Sequence, residues 1–183
     1  AAIETPMSGF IEPMAATLTD RPFRDDDWLF EVKWDGYRLQ AVVEDGRVHT
    51  FTRNGKDGEA FFPRLLAPPT WITARQAIVD GEVIAIDDAG LPDFSLLQER
   101  LGTRGPGGAA AARLVYQAFD LLCLDGRSLL RVPLEDRKRL LQSVLREDGR
   151  VRFAGHVEAE GIAFLEACAR RGLEGAVAKH RRS

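Results

Sequence analysis

Alternating or unbroken apolar runs predict strands over residues 28–33, 38–44, 48–52, 77–86, 114–124, 151–154 and 176–180. Glu44-Asp45-Gly46-Arg47 is a hairpin signal between the second and third, so the first three runs are expected to form one antiparallel meander. Apolar residues at helical spacing predict four helices. The first covers 58–66 and stops at Pro68-Pro69; the second covers 94–101 with Asp93 as its N-cap. The third covers 133–145 with Pro133 as its first helical residue, and the fourth covers 158–171 and closes at Gly172. Residues 102–112, rich in Gly and Ala, are expected to form a mobile loop. Asp80-Gly81-Glu82 interrupts an apolar strand between Val79 and Val83, which predicts a turn or bulge that aims Glu82 into a cleft. Helices and antiparallel strands are intermixed without regular β-α-β alternation, so the class is α+β, antiparallel sheets flanked by helices. Residues 1–24 contain proline and are weakly periodic, which predicts an extended N-terminal arm ahead of one domain over 25–183.

One octet, Glu31-Val32-Lys33-Trp34-Asp35-Gly36-Tyr37-Arg38, stands out within this pattern. In an extended segment Glu31, Lys33 and Asp35 point one way and Val32 and Trp34 the other. One lysine then projects from a charged face over an apolar floor. A surface hairpin with an Asp-Gly turn and solvated charges accounts for the same residues. The chemical alternative is a lysine nucleophile aimed at phosphorus, which requires a neutral amine. At an ordinary pKa near ~10.4, about four amines in ten thousand are neutral at pH 7, and half neutrality takes roughly 4 kcal/mol of environment. Nearby positive charge supplies it, from a divalent cation or a second lysine. Glu31 and Asp35 act in the opposite sense, so other groups must engage them before Lys33 can react.

A chain of 183 residues with 45% hydrophobic and 29% charged content fits one soluble globular domain. No apolar run reaches the roughly 18–20 residues of a membrane span. Neither a membrane partner nor a secretory leader is expected, and a cytoplasmic location follows by default. Cys123 and Cys168 lack a C-x-x-C pattern or paired histidines, so buried thiols are expected rather than zinc ligands or a disulfide. The net charge of -3 excludes a wholly basic nucleic-acid surface. Local basic groups remain at Arg100 with Arg104, Arg137-Lys138-Arg139, Arg170-Arg171 and His180-Arg181-Arg182, each expected on a solvated face.

After the octet come Thr52-Arg53-Asn54-Gly55, Asp80-Gly81-Glu82, Phe119-Asp120 and Glu174-Gly175-Ala176-Val177-Ala178-Lys179, in that order. The set resembles the successive motifs of the covalent nucleotidyltransferases: ATP-dependent DNA ligases, RNA ligases and capping enzymes. It is most similar to ATP-dependent DNA ligases, and within them to the ligase part of bacterial end-joining enzymes of the LigD type. Three further stretches carry the narrower likeness: residues 13–18, Asp93-Phe94-Ser95-Leu96-Leu97-Gln98, and residues 119–126. The resemblance runs from about Phe10 to the last residue and stops before the K-x-K motif and OB-fold barrel of a full ligase.

The resemblance implies an adenylation domain of ATP-grasp-like fold over 25–183, incomplete at its C-terminus and without an OB-fold. Lys33 would take AMP from ATP as a covalent lysyl-AMP, and Lys179 would contact the α-phosphate. Glu31 would lie near the nucleobase, Phe119 would stack on adenine, and Arg38 and Arg53 would lie near the ribose and the DNA. Glu82 and Glu174 would hold Mg²⁺ or Mn²⁺. The complete enzyme would pass AMP to a 5′-phosphate and seal the nick in DNA repair. This piece, as a monomer, would bind nicked double-stranded DNA weakly, with end-joining proteins as further partners. From the residues alone, Phe119 fits a core position equally well, and Arg53 and Glu174 fit exposed turns. Two other functional readings stay open: an RNA ligase or mRNA-capping nucleotidyltransferase, and a DNA- or partner-binding module without catalysis.

Overall fold

A computed structural model describes residues 3–4, 9–102 and 113–183. The strands are β1 (Ile3–Glu4), β2 (Asp25–Val32), β3 (Tyr37–Glu44), β4 (Arg47–Thr52), β5 (Gln76–Ile86), β6 (Arg113–Leu124), β7 (Arg127–Ser128), β8 (Val151–Phe153), β9 (His156–Ala159) and β10 (Ala176–His180). The helices are α1 (Phe94–Gly102), α2 (Leu134–Val144) and α3 (Gly161–Arg170). Among the described residues they form an α+β fold with two sheets. The larger runs β1-β7-β6-β5-β3-β4, with β8 added parallel to β6, and the smaller runs β10-β2-β9. No described helix is long and apolar enough to cross a membrane.

The expected meander of the first three runs does not form. β3 pairs with β4 and β5, whereas β2 pairs with β10 and β9 in the other sheet. Paired on both edges, β2 buries Leu29, Phe30 and Glu31, which a strand at the margin of the larger sheet would leave half covered. Residues 33–36 therefore cross from one sheet to the other, and Lys33 sits at the crossing. Gly36 makes that passage possible: a Cβ there would lie 2.3 Å from Val83 O and 2.9 Å from Glu82 Cγ.

Other departures have local causes. Residues 58–66 form linked turns instead of a helix, because Pro63 lacks an N–H and Arg64 takes φ +58°, while its N–H goes to Glu59 Oε2 at 3.0 Å. The turns still deliver Phe62 and Leu66 to the core. α3 starts three residues later than its sequence pattern, since His156 and Val157 pair with Glu31 and Phe30 of β2. Cross-strand bonds override the helix preference of Glu158 and Ala159. Pro133 is the N-cap of α2 rather than its first helical residue. Asp80-Gly81-Glu82 stays within β5, with register shifts against β6 on both sides of Val79 and Asp80. Asp93 caps α1 as its sequence predicts, accepting from Ser95 N at 2.9 Å and Leu96 N at 3.3 Å. Most of the expected loop at 102–112 lies outside the described residues.

The main core packs the inner face of the larger sheet against α1, α2 and the turns at 58–72, around the fully buried Trp71, Tyr116, Leu39, Leu97 and Leu141. Each such side chain contributes roughly 1.5–3 kcal/mol by leaving water. Trp71 Nε1 donates to Leu66 O at 2.8 Å, so its one polar atom is satisfied inside. Tyr116 Oη lies 3.0 Å from Val79 O and 3.1 Å from Leu39 O, linking the backbones of β5 and β3.

Gly81 lies against that ring, and a Cβ there would come within 2.5 Å of Tyr116 Cζ and 2.7 Å of Gln117 O. Gly81→Ala is expected to destabilise the fold by about 1–3 kcal/mol and to lower Tm by roughly 3–10 °C. Gly155→Ala, with nothing within 4 Å among the described residues, is the control and should leave thermal unfolding nearly unchanged. Equal melting curves for the two variants would contradict this packing.

Candidate active site

β2 ends at Val32, but the pairing continues for one bond: Lys33 N donates to Gly175 O at 2.9 Å. This bond places the octet beside the residues that precede β10. The Lys33 ammonium forms an ion pair with the carboxylate of Glu174, and both side chains remain partly exposed. Trp34 turns the other way and packs on Ile84, Ile86 and Val115, as its alternation with Lys33 predicts.

Glu31, two residues before Lys33, is buried and faces a different set of groups. Its Oε2 accepts from Lys179 Nζ at 2.9 Å, and its Oε1 lies 2.9 Å from Lys138 Nζ. The second contact is an ion pair whose angles fall outside hydrogen-bond geometry. Lys179 stands opposite Leu29 in the β10–β2 register and Val177 opposite Glu31, so Lys179 reaches Glu31 along the diagonal of one face. The carboxylate expected to oppose a neutral Lys33 is thus taken up by two other lysines.

Phe119, on β6, forms the wall of this site. Lys179 Nζ lies 4.2 Å and Arg38 Cζ 5.4 Å from its ring centre, close enough for cation–π attraction. The ring is half-buried between two cations rather than packed within the main core. Arg38 is itself fixed: Nε and Nη2 reach the two carboxylate oxygens of Asp80 at 3.1 and 2.7 Å, and Nη1 donates to Met14 O at 3.1 Å. Asp80 is buried, and desolvation pushes its pKa up while Arg38 pulls it down.

Glu82 pairs with Arg38 across β5 and β3. Burial pushes its pKa up to about 7; Asp80 and Asp35 add to the rise, and Arg38 and Lys33 oppose it. Glu174 thus pairs directly with Lys33, and Glu82 lies near enough to feel its charge. No group of three or more His, Cys, Asp or Glu side chains gathers to hold a metal among the described residues. Two carboxylates are nonetheless a donor set of the kind that Mg²⁺ or Mn²⁺ takes, since these ions commonly bind one or two carboxylates and complete their shell with other oxygen ligands and water. A cleft of about 300 Å³ opens beside Lys33 between Trp34, the 92–94 turn and the 172–174 turn. Glu31, Phe119 and Lys179 do not line it, so it lies on the Glu174 side of the lysine.

The seven sequence-predicted residues other than Arg53 fall into two neighbouring groups: Glu31, Lys179, Phe119 and Arg38 in one, Lys33 and Glu174 in the other, with Glu82 interacting with both Arg38 and Lys33. Arg53 stands apart. It is exposed just beyond Thr52, at the end of β4 that pairs with the start of β3, and makes no hydrogen bond or ion pair among the described residues. Lys138 is a further participant, and its place differs from the one its local sequence predicts. It was expected on a solvated face with Arg137 and Arg139, yet only Arg139 is exposed. Arg137 holds Asp120 at 2.8 and 2.9 Å, and Lys138 Nζ donates to Phe119 O and Ala154 O, each at 3.1 Å. Burial lowers the Lys138 pKa, Glu31 raises it and Lys179 lowers it. Its spacing carried the signal, because Leu134, Lys138 and Leu141 share the inward face of α2.

Residues 13–183 match the family model of the ATP dependent DNA ligase domain. A multifunctional non-homologous end joining protein LigD of Pseudomonas aeruginosa is 34% identical over 178 residues, covering 96% of this chain and 20% of that protein. A SPbeta prophage-derived DNA ligase-like protein LigB of Bacillus subtilis is 30% identical, covering 93% of this chain and 60% of that one. Among solved structures, a mycobacterial DNA ligase D complexed with ATP and MES superposes with a TM-score of 0.78 at 32% identity, over 93% of this chain and 54% of that chain. The chain thus spans between a fifth and three fifths of the curated relatives named here.

Glu82 gives a pH signature. Its folded pKa of about 7 exceeds the ordinary 4.5, so the folded state holds a proton that the unfolded state has lost between those values. Its contribution to stability is full below pH 4.5 and is lost as pH rises through about 7. Thermal melts should show Glu82→Gln losing less stability than the parent between pH 5 and pH 8. Parallel pH profiles for parent and variant would show that Glu82 ionises normally.

Proposed function

The chain belongs to the ATP dependent DNA ligase domain family, and from that premise we propose that Lys33 attacks the α-phosphorus of ATP to form a covalent lysyl-AMP. A P–N bond forms, the P–O bond to pyrophosphate breaks, and the ammonium of Lys33 gives up its proton before attack. The observation that carries this reading is that Lys33, paired with Glu174 at the crossing between the two sheets, adjoins a second group in which Lys179 contacts both Glu31 and Phe119 while Arg38 lies over the same ring and pairs in register with Glu82.

Each group has a role set by its contacts. Glu174 pairs with Lys33, so attack requires both that Glu174 turns to another partner and that positive charge beside the amine favours loss of its proton. Glu31 cannot oppose that release, because Lys138 and Lys179 already occupy its oxygens. The face of Phe119 offers a stacking surface for adenine beside Glu31, whose carboxylate oxygens accept from the 6-amino group. Lys179 stabilises charge that builds on the α-phosphate oxygens. Arg38, braced by Asp80, lies where the ribose and the DNA strand would pass. Arg53, exposed at the same end of the larger sheet, would reach the DNA backbone. Glu82 and Glu174 would hold Mg²⁺ or Mn²⁺, which when bound supplies positive charge against the phosphate oxygens. In the complete enzyme the AMP passes from Lys33 to a 5′-phosphate in nicked double-stranded DNA, in an end-joining setting like that of the LigD relatives.

Intact-mass spectrometry after incubation with ATP and Mg²⁺ is expected to show the chain heavier by one AMP, with no such species for Lys33→Ala. Lys179→Met should slow its formation by about 10²–10³-fold, the usual loss for one group that stabilises transition-state charge. GTP should leave the mass unchanged. Labelling by GTP and not by ATP would sink the ligase reading in favour of a capping-type enzyme. Binding of nicked DNA without any nucleotide binding would favour a non-catalytic module.

A further inference from the structure

Glu31 has two cations for one negative charge, and they differ in how freely each can move. Lys138 is 1% exposed and shares its ammonium among Glu31 Oε1 at 2.9 Å, Phe119 O at 3.1 Å and Ala154 O at 3.1 Å. Two of its N–H groups donate to those carbonyls, Glu31 Oε1 is its ion-pair partner, and the Phe153 ring lies 5.0 Å away. No space is left for it to follow a ligand. Lys179 is 24% exposed, is bound to Glu31 Oε2, and lies over the open face of Phe119. It is the member of the pair that can swing toward a phosphate.

Leaving Glu31 is costly if nothing else neutralises it, because a buried carboxylate without a partner is far less stable than a solvated one. We propose that Lys138 is a positioning residue for nucleotidyl transfer: as the fixed counterion of Glu31, it releases Lys179 to serve a phosphate oxygen. The inference rests on the reading that Lys179 meets the α-phosphate. With Lys138 in place, the Glu31–Lys138 pair stays neutral wherever Lys179 goes. Without it, the charge that builds on the α-phosphate in the transition state must compete with a buried anion for the same ammonium. The bond from Lys138 to Phe119 O also fixes the backbone that carries the stacking ring. One side chain thus sets both the charge and the wall.

The test uses the full chain and separates binding from chemistry. Four variants are compared with the parent: Lys138→Met, Lys138→Gln, Glu31→Gln and the double variant Glu31→Gln/Lys138→Met. Calorimetry with the non-reacting α,β-methylene analogue of ATP gives Kd, and single-turnover incubation with ATP gives the rate of lysyl-AMP formation. Lys138→Met is expected to slow that rate by about tenfold or more while Kd changes by less than about threefold, since Lys179 stays on Glu31. Lys138→Gln, which keeps a donor for the Phe119 carbonyl, should show the same split because the charge is missing. In the Glu31→Gln background, Lys138→Met should cost about twofold or less, because Lys179 then has no anion to hold it.

An equal loss from Lys138→Met in both backgrounds overturns the proposal, as does an unchanged rate or a parallel fall in affinity and rate. Unfolding of both Lys138 single variants, seen by thermal melting, assigns the residue to stability and overturns it too. Absence of lysyl-AMP from the parent chain overturns the adenylation reading and the inference with it, whereas the other adverse outcomes strike the inference alone.

Discussion

A carboxylate buried at the centre of the smaller sheet constrains everything around it. Glu31 has no water to solvate it, so it must be met by positive charge, and the two lysines that meet it come from α2 and β10. Satisfying one charge therefore ties β2 to β10 and to the helix that packs on the larger sheet. Lys138 extends the tie to β6 through the Phe119 carbonyl. Lys33 leaves β2 two residues further on, so the same tie fixes where its backbone enters the crossing.

Lys33, Arg38, Lys138 and Lys179 each have a carboxylate partner, and burial decides which of these partnerships can change. Arg38 with Asp80 and Lys138 with Glu31 are enclosed and doubly or triply held. Lys33 with Glu174 is open to solvent on both sides. Exposed pairs contribute little to stability, typically below about 1 kcal/mol, so breaking one for a ligand costs little. Enclosed pairs lose much more when broken and therefore act as scaffold. A site for a highly charged substrate needs both kinds, fixed charges that define its shape and loose ones that can be given to phosphate.

The crossing between the sheets has its own requirement. A chain segment that leaves one sheet and enters the other must pass close to β5, and Gly36 meets Val83 O and Glu82 Cγ at distances that admit no side chain. That close approach also brings Glu82 beside Lys33 and Asp35, which contributes to the shift of its pKa. Backbone packing and site electrostatics thus share one cause.

Much of this was legible in the residues. The strand runs, the Asp93 cap, the outward course of Lys33 against Trp34 and the ordered set of charged motifs follow from local pattern, because alternation and capping act over a few neighbours. Contacts between distant segments do not. β2 joined β10 and β9 rather than the meander because burying both its edges and its Leu29–Phe30–Glu31 face required partners from the far end of the chain. Glu158 and Ala159 gave up helix for the same reason. Lys138 looked like one of three solvated cations, and only its place between Leu134 and Leu141 hinted that it turns inward. By itself the sequence determined the segments and the groups able to do chemistry. The tertiary structure alone decided which charges neutralise one another, because pairing depends on distance through space and on exclusion of water, and neither is set by position along the chain.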